Sequence, residues 1–95
     1  EHLLTIVNTT PQTIIAVEKK SYKTIRPQEA ITLYWNEPLS KNDPAHLTFY
    51  TPQSIRKTPR KKRKKALQQV GKMHVVKPGM ISLVMDQGRV RGIRN

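Results

Sequence analysis

A chain of 95 residues has room for one domain with one small core, and a domain of this size buries only somewhat more than about 60% of its unfolded surface. The absence of cysteine excludes disulfides, thiolate metal sites and thiol catalysis, and no apolar run approaches the ~20 residues of a membrane-spanning helix. Eighteen Lys+Arg against six Asp+Glu leave a net charge of +12, a balance that favours polyanionic partners.

The first half of the chain reads as short strands. Residues 4–8, 13–17, 22–26 and 30–35 are rich in Ile, Val, Thr and aromatic side chains and are bounded by turn residues. Alternation is clearest over 30–35, where Ile31, Leu33 and Trp35 share one face and Thr32 and Tyr34 the other. A strand with one buried face is expected there, with Trp35 in the core or at its rim. Asn8-Thr9-Thr10 fits the N-glycosylation pattern.

Residues 36–45, with Pro38, Asn42, Asp43 and Pro44, form a loop. Strands are expected again over 47–50, 53–57, 73–76, 80–85 and 89–93. Asp86-Gln87-Gly88 suits a tight hairpin, because glycine takes the positive φ such turns need.

The two halves resemble one another. Leu4-Thr-Ile-Val followed by Thr10-Pro-Gln-Thr-Ile14 returns as Leu47-Thr-Phe-Tyr followed by Thr51-Pro-Gln-Ser-Ile55. Ile25-Arg-Pro-Gln-Glu-Ala-Ile-Thr-Leu33 returns as Val76-Lys-Pro-Gly-Met-Ile-Ser-Leu83, one residue shorter. Both blocks recur in the same order, the mark of an internal duplication. The pattern predicts a mainly β fold: a single domain over 1–95, built as a small antiparallel β-sandwich from similar halves at about 3–37 and 46–93.

Aligning the halves locates the charge. The short connection Glu18-Lys-Lys-Ser21 corresponds to a basic insertion over 56–71, a loop or short helix. Arg56, Lys57, Arg60, Lys61, Lys62, Arg63, Lys64 and Lys65 crowd its first ten positions, and no acidic residue lies between Asp43 and Asp86. Thr58 suits an N-cap, Pro59 a first helical position and Gly71 the residue after a helix end. Six consecutive cations in the first turns oppose the helix dipole and repel one another, so ordering should increase when an anion binds.

Such a run suits a polyphosphate backbone, which gives strong, salt-dependent affinity with little sequence preference. The expected polyanion-binding residues are these eight and Lys72, with Lys77, Arg89 and Arg91 as an extension to which Arg94 could add. Base reading is not expected, because the cluster itself holds no aromatic or Asn, and Tyr22, Tyr34, Trp35, Phe49 and Tyr50 fall in strands.

The leading partner is nucleic acid or another polyanion; the alternative is a secreted or host-directed protein that contacts anionic lipid headgroups or acidic partners. A chain beginning at Glu1 fits a signal peptide removed on secretion, or trimming. Residues 59–65 also match the general form of a nuclear localisation signal, and Thr58-Pro59 that of a proline-directed phosphorylation site. A third reading is an adaptor subunit that pairs through exposed sheet edges.

No catalytic constellation, cofactor motif, metal site or small-molecule substrate is expected. The three histidines are far apart in sequence, although His46 and His74 could meet within the second half. The acids form no recognisable pair, and the serines have no nucleophile-elbow context.

Overall fold

The computed structural model describes residues 2–59, 61 and 67–95. The elements bounded by described residues follow in the order β1 (His2–Asn8), β2 (Ile14–Glu18), β3 (Ser21–Ile25), β4 (Ala30–Trp35), β5 (Ala45–Tyr50), α1 (Pro52–Lys57), β6 (Gly71–Val75), β7 (Gly79–Asp86) and β8 (Arg89–Arg94). They build two four-stranded sheets, β4-β1-β7-β8 and β3-β2-β5-β6, packed in a β-sandwich-like arrangement. One pairing departs from the expected antiparallel pattern: β1 and β7 run parallel. The chain enters β4 and β7 from the ends of β3 and β6, both in the other sheet, and these two crossovers place their strands on either side of β1.

The period-two pattern explains the core. Leu4 and Ile6 of β1, Ile14 and Ala16 of β2, Ala45, Leu47 and Phe49 of β5, and Ile81 and Leu83 of β7 point inward from the central strands. Edge strands contribute less: Ile25, Val75 and Val90 are buried, whereas Ile31, Leu33 and Trp35 of β4 only half-bury against the core. Trp35 is therefore a rim residue. Its Nε1 donates to Glu18 Oε2 at 2.7 Å, tying the edge of one sheet to the end of β2 in the other.

The opposite side of the sandwich closes where β6 meets β8. Val90 N donates to Val70 O at 2.8 Å, and the Cα of Gly71 lies so close to the Val90 carbonyl that any Cβ would collide with it. Only glycine permits that approach.

Two expected elements take another form. The strand expected over 53–57 is the helix α1, capped by Thr51: Ser54 N donates to Thr51 Oγ1 and Thr51 N to Ser54 Oγ, both at 3.0 Å, with Pro52 opening the helix. No helix runs up to Gly71, because residues 67–70 are irregular and Gly71 opens β6. The hairpin at 86–89 is as expected, with positive φ at both central residues, Gln87 at 53° and Gly88 at 79°.

The turn after β3 gives a local test of backbone strain. Gln28 follows Pro27 with φ 66°, and Glu29 N closes the turn on Arg26 O at 3.0 Å, a type II geometry that favours glycine at the Gln28 position. Gln28→Gly relieves the left-handed cost but loosens the unfolded chain. Its expected net effect is a gain of about 0.5 kcal/mol, a rise of a few degrees in Tm by circular dichroism.

Candidate polyanion-binding site

The residues that flank the basic run meet at one place on the sandwich. Thr58, buried at the end of α1, donates from Oγ1 to Ser54 O at 3.0 Å and accepts at the same oxygen from Gln68 N at 2.8 Å. A single hydroxyl thus clasps the end of α1 to the chain that re-enters at Gln68. Just outside the clasp on one side and inside it on the other, Ile55 and Leu67 line one groove on the outward face of the β3-β2-β5-β6 sheet. That anchorage holds the base of the segment against the sheet.

The expected site residues are distributed as follows. Arg56, Lys57 and Lys61 are exposed on or just beyond α1. Arg60, Lys62, Arg63, Lys64 and Lys65 lie outside the described residues, and so does most of the helix expected to begin at Pro59, of which Lys61 is described and helical. Lys72 is exposed on β6 between buried Gly71 and half-buried Met73, so it points outward from its sheet.

Arg89 and Arg91 flank buried Val90 and point outward from β8, the strand that meets β6 at the closed side. Lys57 and Gly88 line the same polar cavity of about 200 Å³, together with Gln12, Thr51, Gln53 and Gln68. The β7-β8 hairpin, with Arg89 directly after Gly88, therefore abuts the foot of the basic segment.

Not every expected cation has the same freedom. Arg91 Nη1 lies 4.0 Å from Asp86 Oδ2, a solvent-exposed pair of little energetic weight. Arg94 is committed to structure: Nη1 donates to Pro78 O at 2.9 Å and Nη2 to Lys77 O at 3.0 Å, pinning the turn before β7. Lys77 is exposed on that turn.

No protein-family model matches this chain, and no curated protein or solved structure proves similar to it. What can be said of the site rests on its own geometry.

That geometry also places the secondary motifs. Thr58 is 4% exposed with its hydroxyl in the clasp, so a kinase would have to open the base of the segment to reach it. Asn8 is fully buried and its Nδ2 donates to Gln12 O and Ile25 O, which leaves the glycosylation-type triplet inaccessible in the folded domain. His46 and His74 do meet: they are cross-strand partners on β5 and β6, with ring centroids 4.3 Å apart in an edge-to-face contact. Among the described residues no group of three or more His, Asp or Glu is arranged to hold a metal ion.

Sequence reasoning missed the aromatic content of the sheet face beside the segment. Tyr22 of β3 and Tyr50 of β5 point outward into the groove that Ile55 and Leu67 line. The alternation of Tyr50 with buried Phe49 contained part of that signal; the strand order, which sets Tyr22 beside it, supplied the rest.

Proposed function

We propose that this domain is a non-enzymatic binding module that holds a polyanion, nucleic acid foremost, through the basic segment 56–65 and with little sequence specificity. On this reading the fold is a sandwich of two similar halves, and the second carries the segment as an insertion. The observation that supports it is the Thr58–Gln68 clasp, which fixes the residues on either side of the cation run to the folded body. Tethering both ends lowers the chain entropy lost when the cations engage phosphates. Lys57 and the hairpin that carries Arg89 stand at its foot, and Lys72 on β6 extends the positive field along the closed side of the sandwich.

A titration of affinity against salt tests the proposal. With fluorescently labelled single-stranded DNA, duplex DNA and RNA, and with heparin and anionic vesicles as competitors, affinity for nucleic acid should fall steeply. Six engaged phosphates correspond to a log–log slope of about −5 on duplex and a loss of roughly 10³ in affinity between about 50 and 200 mM salt. Salt-independent binding, or retention by vesicles alone, overturns the assignment.

A further inference from the structure

The outward face of the β3-β2-β5-β6 sheet carries an apolar groove of about 280 Å³ beside the foot of the basic segment. Ile15 and Val17 of β2 form its floor, Tyr22 and Tyr50 stand on the flanking strands, and Ile55 and Leu67 wall the side toward the segment. The groove is accessible: β3 is an edge strand with four of its five residues exposed, and Tyr22 is 70% exposed. The cross-strand row through Tyr22, Val17 and Thr48 ends at Lys72, an outward cation at the far edge of the same face.

Aromatic rings on an apolar sheet surface, next to a cationic element, are the two components that single-stranded nucleic acid requires. Its phosphates need cations, and its unstacked bases need flat apolar partners. A duplex hides its base faces within its own stack and would use only the cations. An acidic peptide would meet the same charge, but the open tyrosine rings match the planar faces that every unpaired base presents.

We infer that this groove is a base-stacking platform, and that the preferred ligand is single-stranded DNA or RNA with at least one base laid on Tyr22. The inference rests on the proposed polyanion binding and adds a ligand class to it. The phosphates of the same strand run to Arg56, the residue after Ile55, and to Lys72. Tyr50, half-buried against Ile15, supports a second contact at the inner end of the groove.

The test compares Tyr22→Ala, Tyr22→Phe and Tyr34→Ala with the parent, using a labelled single-stranded 12-mer, the corresponding duplex and inorganic polyphosphate. Tyr34, 73% exposed on the other sheet, is the control for loss of an exposed ring. Tyr22→Ala should weaken single-strand binding by at least about fivefold, while Tyr22→Phe keeps it. Tyr34→Ala should change nothing, and affinities for duplex and polyphosphate should stay constant in all three variants.

Because Tyr22 is exposed on an edge strand, the variants should fold, and thermal unfolding verifies this. If polyphosphate and oligonucleotides bind but Tyr22→Ala matches the parent on the single strand, the stacking platform fails and polyanion binding stands. If no polyanion binds, the underlying function fails as well. Tyr22-dependent capture of a Glu-rich peptide bearing one aromatic residue, with no such dependence for oligonucleotides, assigns the groove to a protein ligand and overturns the inference.

Discussion

Asn8→Asp should unfold the domain more readily than any surface substitution, with an expected loss of about 3 kcal/mol or more at neutral pH. Asn8 is fully buried at the end of β1 and uses its whole amide. Nδ2 donates to Gln12 O at 2.8 Å and to Ile25 O at 2.9 Å, while Oδ1 accepts from Thr10 N at 2.9 Å and Thr10 Oγ1 at 2.7 Å. Its backbone adds two bonds, Asn8 N to Glu29 O and Gln28 N to Asn8 O. One residue thereby joins the end of β1, the turn before β2 and the turn after β3, and so ties together two of the connections between the two sheets.

An aspartate keeps the shape and the acceptor but turns both donors into an oxygen facing two carbonyl oxygens. Burial and those carbonyls would raise the pKa of the new carboxyl above its unfolded value of about 3.9. The folded state would then bind more protons than the unfolded state between the two pKa values, so stability falls as pH rises through that window. The deficit relative to the parent should be smallest near pH 4 and largest at neutral pH. Denaturant unfolding of both proteins at the two pH values measures it; an equal deficit at both would show that the fold does not raise the pKa of the new carboxyl.

The same asparagine explains why a matched stretch of sequence adopts two structures. Thr10-Pro-Gln-Thr and Thr51-Pro-Gln-Ser carry the same helix-start chemistry, a capping hydroxyl followed by proline. Two residues earlier stand Asn8 and Phe49, respectively. Asn8 Oδ1 takes the Thr10 hydroxyl, and the chain turns into β2; Phe49 offers no such acceptor, so Thr51 caps α1. Likeness along the sequence could not show this, because the competing hydrogen bond is specified outside the matched block.

Other features were legible for physical reasons. The strand through Leu47 and Phe49 and the Gln87-Gly88 turn are local, and local rules place them, although β5 begins at Ala45, two residues before the expected start. The neighbours of the basic segment are not local: Ile55 and Leu67 share a groove because Thr58 holds Gln68, and Tyr22 joins them through β2, which lies between β3 and β5. The strand order likewise brings β8 with Arg89 against β6 with Lys72, although neither strand is near the other in sequence.

Replacing Lys61, Lys62, Arg63 and Lys64 together by alanine should remove most of the affinity for nucleic acid while leaving the fold intact. Four lost phosphate contacts correspond to a decrease of about 3.6 in the magnitude of the salt slope on duplex and about 3 on single strands. Near 50 mM salt, affinity should fall by several orders of magnitude; toward about 1 M, parent and variant should converge, because counterion release then contributes little to either.

The fold should tolerate the change because the four positions lie between Thr58 and Gln68, and the clasp, Ile55 and Leu67 remain. Removing four like charges also relieves self-repulsion, so Tm should hold or rise slightly. Retained affinity with a lower Tm would show that these cations serve the fold. Lost affinity with an unchanged Tm would assign them to the ligand, and Tyr22 could then be tested for base stacking on a site whose electrostatic part is known.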